Sequence, residues 1–321
     1  MFSPLRCSVI VPTRDSLQHL RNALRSVRQQ GIREIEIIVV DDGSTDGTME
    51  WLTAQGARWP QLRAVAGSGR GPADARNRAI DVARAPLVAF LDADDLWWPD
   101  KLARQLAYHE ANPQVGLSFT DYLHVDSDSR TYGSCFQYWR FCAGEDGRAF
   151  QLVADAEATL LGTNVVGTST VVARLADLRD AGGFSTELPS ASDWDLWLRI
   201  AARSPVAATP ATLASYLINR AGNMTSRAKA RTDAINTVLA RYSDHASPVY
   251  RRAQRLVRAR LTEARADSHL VADQHFRALL DRLKVLAMRP NTRTARATAG
   301  QARNVLRLAL QPATDPTIRT A

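Results

Sequence analysis

The chain has 321 residues, 45% hydrophobic and 23% charged, with three cysteines and a formal net charge of +8. That balance is ordinary for a globular protein and excludes a disordered, collagen-like or disulfide-stapled chain. The charge is unevenly placed: residues 1–226 hold 22 Lys and Arg against 26 Asp and Glu (net −4), and residues 227–321 hold 19 against 7 (net +12).

At about 100–200 residues per domain, this length allows two domains, or one large α/β domain with an extension. The charge break puts the boundary after residue 226, giving a folded domain over 1–226 and a basic helical extension over 227–321. No run of about 18 apolar residues occurs, so no transmembrane helix is expected. The first twelve residues do not read as a signal peptide. Without a C-x-x-C pair, Cys7 reads as a buried small hydrophobe, and Cys135 and Cys142 as free thiols.

The first 110 residues alternate strand and helix patterns. Residues 8–11 form a short β-branched run that ends at Pro12. Asp15 then caps a helix with Leu17, Leu20, Leu24 and Val27 at helical spacing. Strands follow at 36–40, 62–66 and 87–91, with helices at 48–54, 72–83 and 99–109. Pro72 suits a helix first turn. This order predicts a mostly parallel sheet with helices on both faces. Ligands in such sheets bind beyond the carboxyl ends of the strands, so residues 13–15, 41–44 and 92–95 should gather on one rim. Further on, 116–125 and 164–173 read as strands, 150–161 and 193–202 as helices, and 126–147 as a loop. The Ala/Arg-rich tail reads as helical, with a polar break at 289–300 and a short closing helix at 305–310.

Several polar clusters carry chemical potential. Asp41-Asp42-Gly43-Ser44 follows a strand directly. Carboxylates there can accept from a sugar hydroxyl or a base N–H, although the same residue types also make caps and turns. Asp92, Asp94 and Asp95 put three carboxylates within four residues. Their repulsion is offset by a cation, and hard oxygen ligands suit Mg²⁺ or Mn²⁺; capping of the helix after Pro99 is the plainer alternative. Arg76 can fork onto phosphate oxygens or bridge to Asp42 or Asp92. Asp193 can cap the helix that it heads, with Trp194 and Trp197 in the core. Residues 216–226 can fold over a diphosphate or form a plain loop.

Taken in order, these pieces resemble family 2 glycosyltransferases with the GT-A fold. The matching segments are SVIVPTR (8–14), IIVVDDGSTDGT (37–48), ARNRAIDVA (75–83), VAFLDADDLWWP (88–99), GGF (182–184) and DWDLWLR (193–199). The resemblance implies a Rossmann-like α/β domain that takes a nucleotide-diphosphate sugar, UDP-linked, as donor. Pro12, Thr13, Arg14, Asp15, Asp41, Asp42, Gly43, Ser44, Arg76 and Asn77 would surround the nucleotide. Asp92-Ala93-Asp94 would be the D-x-D motif, with Asp94 and Asp92 at the Mn²⁺ or Mg²⁺ ion. Asp193 would be the general base, Trp194 and Asp195 would face the acceptor, and Arg220 would belong to a segment closing on the donor. The implied reaction is inverting transfer to a glycan or lipid-linked acceptor in cell-surface polysaccharide or glycoconjugate synthesis.

Two departures stand out. Ser192 occupies a position where the family often has Glu, which leaves Asp195 as an alternative base. The Q-x-x-R-W motif of processive synthases is absent, which points to single addition. A nucleotidyltransferase on a similar sheet is a second reading. Nucleic-acid binding by the basic tail is a third, weakened because only Tyr242, Tyr250 and Phe276 are aromatic there. The tail is also compatible with docking on an anionic membrane, or with helix packing and homodimer formation. The expected location is cytoplasmic, at most peripheral on the inner face of the cytoplasmic membrane.

Overall fold

The computed structural model describes residues 4–141, 149–218, 228–245 and 247–310. The chain divides into two compact units, Met1–Ser243 and Asp244–Ala321. The first unit opens with β1 (Cys7–Thr13), α1 (Leu17–Arg28), β2 (Ile35–Asp41), α2 (Thr48–Gly56), β3 (Leu62–Ala66), α3 (Pro72–Val82) and β4 (Leu87–Phe90). It continues with β5 (Leu96–Trp97), α4 (Lys101–Ala111), β6 (Leu117–Val125), β7 (Thr131–Ser134), α5 (Cys135–Trp139), β8 (Gln151–Leu152) and α6 (Ala156–Thr163). A 3₁₀ turn (Thr168–Thr170), β9 (Val172–Arg174), α7 (Leu175–Asp180), α8 (Ser192–Ala201), β10 (Val206–Leu217) and α9 (Ala228–Ala240) complete it.

Among the described residues ten strands form one sheet, in the order β3-β2-β1-β4-β9-β6-β10-β5, with β7 beside β6 and β8 beside β10. The β3-β2-β1-β4 block is parallel. β9 runs antiparallel between β4 and β6, and β6 and β10 are again parallel. Every residue of β1 and β2 is buried, as expected of strands covered on both faces. The core packs Val9, Val11, Ile37 and Val39 of these strands against Leu20, Leu24 and Val27 of α1.

Pro12 does not end β1; the strand runs on to Thr13, paired with Asp41 of β2. The β1–β4 pairing stops at Ile10–Phe90. The Thr13 carbonyl points to β2, where it accepts from Asp42 N at 2.8 Å. Alternation therefore turns Pro12 toward the side where β4 has already ended, so its missing N–H breaks no ladder bond. The expected Asp15 cap is also replaced. Ser16 is the N-cap of α1 without a side-chain bond, and the Leu17 amide is taken by Asp46 Oδ2 at 3.0 Å.

Other departures lie where elements are short. Residues 164–173 form a loop and the 3₁₀ turn, with only the start of β9 at their end. The expected loop at 126–147 contains β7 and α5, and 150–161 splits into β8 and α6. The second unit holds α10 (Pro248–Val271), α11 (His275–Met288) and α12 (Thr292–Ala309). The polar run 289–300 is mostly the start of α12, not a break. Its Thr294, Thr298 and Gln301 are buried and bond neighbouring backbone. Thr298 Oγ1 donates to the Arg282 carbonyl at 3.2 Å, and Gln301 Nε2 to the His275 carbonyl at 3.0 Å. Arg265 forks onto Asp281 with two 2.7 Å bonds that join α10 to α11.

Candidate functional site

The parallel block brings the carboxyl ends of β1, β2 and β4 to one rim. At the β2 end, Asp41 Oδ1 accepts from the Ser44 amide at 3.2 Å and from its hydroxyl. Gly43 turns the chain there with φ +84°, a conformation glycine adopts without steric cost. Asp15 N donates to Ser44 Oγ at 2.9 Å, and Asp15 Oδ1 accepts from Thr45 N at 2.7 Å. The residues after β1 and β2 are thus laced together. Arg14 stays exposed, 3.8 Å from Asp15. Thr13 is 4% exposed, and its Oγ1 is buried without a hydrogen-bonding partner.

Asp42 is buried and holds the loop that leads into α3. Its Oδ1 accepts from Gly69 N at 2.8 Å and its Oδ2 from Gly71 N at 2.7 Å. That loop starts α3 at Pro72 and so fixes Arg76 on the first turns of the helix. Arg76 is buried. Its Nη2 donates to Asp92 Oδ1 at 2.5 Å, its guanidinium lies 5.3 Å from the Phe184 ring, and its Nε has no partner. Burial opposes its charge, but Asp92, then Asp193 and Asp95, hold its pKa above the usual guanidinium value. One cation therefore sits within the field of three carboxylates drawn from two distant segments.

The 92–95 turn separates into two functions. Asp92 and Asp94 are partly accessible. Asp95 is 1% exposed; its Oδ2 accepts from Ser169 Oγ at 2.5 Å and its Oδ1 from Leu217 N at 3.1 Å. Burial, then Asp92 and Asp94, push its carboxyl well above the usual range. Asp95 is thus a tie between this turn, the 3₁₀ turn and the end of β10, and the expected triad of cation-facing carboxylates reduces to two. No group of three or more His, Cys, Asp or Glu side chains assembles a metal site among the described residues. Two carboxylates still fit Mg²⁺ or Mn²⁺, because such ions are often held by one or two protein carboxylates together with substrate phosphates.

The 3₁₀ turn carries contacts that sequence reasoning missed. Ser169 Oγ accepts from Asp92 N at 3.0 Å. Thr168 Oγ1 donates to Asp193 Oδ2 at 3.0 Å. Asp193 lies at the head of α8, two residues after Ala191, whose φ of +58° is left-handed. An alanine held there stores backbone strain. The only signal for the turn was its run of hydroxyl residues, Thr168-Ser169-Thr170.

Three expected contact residues are committed elsewhere. Asn77 Oδ1 accepts from Phe184 N and its Nδ2 donates to Phe184 O, both at 2.8 Å; it clips the 182–184 segment to α3. Trp194 is 2% exposed, with Nε1 donating to Leu160 O at 2.9 Å, so it is core. Asp195 is 3% exposed. It accepts from Arg199 Nε at 3.0 Å and Nη2 at 2.8 Å, and from Arg241 Nη1. Two guanidiniums enclose it, which removes it as acceptor contact and as alternative base. Pro12 and Ala93 are buried backbone positions of the rim. Arg220 and Cys142 lie outside the described residues.

Solved structures share this architecture. The mannosyltransferase PcManGT from Pyrobaculum calidifontis, in complex with GDP-Man and Mn²⁺, matches with a TM-score of 0.64 at 22% identity, over 95% of this chain and 81% of that one. S. aureus TarS 1-349, in complex with UDP-GlcNAc, matches with a TM-score of 0.62 at 18% identity, over 89% and 82%. The first unit accordingly has the GT-A fold. Residues 8–154 match the glycosyl transferase family 2 model. A Rickettsia conorii protein named "Uncharacterized glycosyltransferase RC0461" is 28% identical over 218 residues, 68% of this chain. The chain is similar to glycosyl transferase family 2 over those residues, and it covers 34% of the length of that relative.

Proposed function

We propose that this chain moves a single sugar from a nucleotide-diphosphate sugar, UDP-linked, to a glycan or lipid-linked acceptor, with inversion at the anomeric carbon. The observation that carries this reading is Arg76, a buried guanidinium with an unpartnered Nε, set among Asp92, Asp193 and Asp95. Its free donor and the unpartnered Thr13 hydroxyl suit the polar groups of a nucleotide diphosphate. The donors bound by the similar structures, UDP-GlcNAc and GDP-Man, support the same substrate class. Asp193 accepts the proton of the acceptor hydroxyl as its oxygen attacks the anomeric carbon, and the nucleoside diphosphate leaves. Thr168 keeps that carboxylate oriented. Asp92 and Asp94 would hold Mg²⁺ or Mn²⁺, which supplies charge neutralisation for the leaving diphosphate.

The test is a donor screen with the full chain. UDP-glucose, UDP-GlcNAc and GDP-mannose are each offered with Mn²⁺, Mg²⁺ or EDTA, and released nucleoside diphosphate is measured. Metal-dependent release from one donor, lost in Asp94→Ala and Asp193→Asn, supports the reading. No release from any donor, or release of pyrophosphate in its place, overturns it.

A further inference from the structure

We infer that the second unit docks on an anionic membrane surface through the outward faces of α11 and α12. The inference stands apart from the transferase reading, because nothing in it uses the site at the sheet rim. On α11, Phe276, Leu280 and Leu283 recur at i, i+4 and i+7 and are 63%, 43% and 47% exposed. They form one stripe on the helix. The opposite face, Ala278, Asp281 and Val285, is buried. The bonds that hold the three helices together involve that inner side and the flank toward α12: Asp281 with Arg265, the Arg282 carbonyl with Thr298, and the His275 carbonyl with Gln301. The outer stripe takes no part in those bonds.

Charge identifies the occupant. Residues 244–321 contain 15 Lys and Arg against 6 Asp and Glu. On α12, Arg293, Arg296, Arg303 and Arg307 are exposed on the side opposite the buried Thr294, Thr298 and Gln301. Among the described residues none of the four has an ion pair with a carboxylate. Leu306, 61% exposed, and Leu310, 82% exposed, accompany them. Basic side chains beside exposed leucine and phenylalanine match a surface of anionic headgroups over hydrocarbon. A second copy would set this cationic face against itself. Nucleic acid would leave the leucines without a partner, and the only exposed aromatic on these two helices is Phe276.

The test is flotation of the full chain with vesicles. Phosphatidylcholine vesicles containing 30% phosphatidylglycerol are compared with pure phosphatidylcholine, at 0.1 M and 0.5 M salt. We expect at least tenfold more protein on the anionic vesicles, and most of that difference lost at high salt. Leu280→Glu/Leu283→Glu and Arg293→Glu/Arg303→Glu should each lower binding at least tenfold while the circular dichroism spectrum is unchanged. Equal binding to both vesicle types, or none, overturns the inference. So does duplex DNA that binds the chain more tightly than the anionic vesicles do. A dimer abolished by Leu280→Glu/Leu283→Glu would overturn it equally, by assigning the stripe to a second copy.

Discussion

Thr168 and Asp193 are 25 residues apart in sequence, and the hydroxyl of the first donates to the carboxylate of the second at 3.0 Å. The neighbouring Ser169 accepts from the Asp92 amide. One turn of 3₁₀ helix therefore sets the relative placement of the 92–95 turn and the carboxylate at the head of α8. In the proposed reaction Thr168 is a positioning residue. Thr168→Val keeps the shape and removes the donor. Its kcat should fall by about tenfold, the cost of roughly one charge-assisted hydrogen bond, with little change in the donor KM. Thr168→Ser should restore kcat, whereas a purely structural role would show instead as a fall in melting temperature.

Asp193 and Asp195 share a helix and a side-chain type but have opposite surroundings. Asp193 is partly accessible and lies within the field of Arg76. Asp195 is enclosed by Arg199 and Arg241. Asp193→Asn should reduce transfer by at least about a hundredfold, in the range of a lost general base, with the melting temperature nearly unchanged. Asp195→Asn should do the reverse. It loses about 2 kcal/mol of stability, discounted for the partial exposure of Arg241, and keeps measurable transfer. Thermal denaturation beside nucleotide release separates the two residues.

The front half of the fold was legible because its strands are continuous apolar runs followed by polar clusters, and the first helix between them has clear 3.6-residue periodicity. The gathering of residues 13–15, 41–44 and 92–95 followed from parallel topology alone. Strands of two or three residues, such as β5, β8 and β9, carry no period to read. The contacts that assign each carboxylate its task are non-local: Asp46 reaches Leu17, Ser169 reaches Asp95, and Arg241 reaches Asp195. Residue type could nominate Asp92, Asp95, Asp193 and Asp195 alike. Only burial and partners divide them into groups that face the rim and groups that brace it.

Gly67 has a steric reason that spacing does not display. A Cβ there would lie 2.6 Å from Asp42 Oδ1 and 2.7 Å from Asp42 Cα. The backbone atom cannot yield as a flexible side chain could. Gly67→Ala should displace Asp42 and with it the Gly69 and Gly71 amides, loosening the entry to α3 and Arg76. Overpacking of this kind costs about 1–3 kcal/mol. The donor KM should rise more than kcat falls, since the lesion is in the loop and not at Asp193. Chemical denaturation and initial rates on one preparation test both parts. A variant with wild-type stability would show that the chain relieves the contact.

Two groups on the buried face of α4 should contribute to the pH dependence of stability. Lys101 is fully buried; its Nζ donates to Gln105 Oε1 at 2.7 Å and lies 4.3 Å from the Trp97 ring centroid. Burial lowers its pKa from 10.5 to about 7, with Cys7 opposing slightly. His109 is buried against Ser118 Oγ at 3.0 Å, and burial lowers its pKa from 6.5 to about 4. Both shifts have the same sign. Between the folded and unfolded pKa the unfolded chain binds the extra proton, so stability rises with pH across each window. His109 should give a rise from about pH 4 to 6.5 that is complete above it. Lys101 should give a second rise, from about pH 7 to 10.5, with its full penalty present below pH 7. Lys101→Met keeps the length of the side chain and removes the amine, so it should flatten the upper rise and stabilise the protein by about 1–4 kcal/mol at neutral pH. His109→Gln should flatten only the lower one. Urea denaturation midpoints from pH 4 to 10 measure both. If Lys101→Met left the upper limb unchanged, the charge on Lys101 would be solvated in the folded state, and the burial argument for α4 would fail.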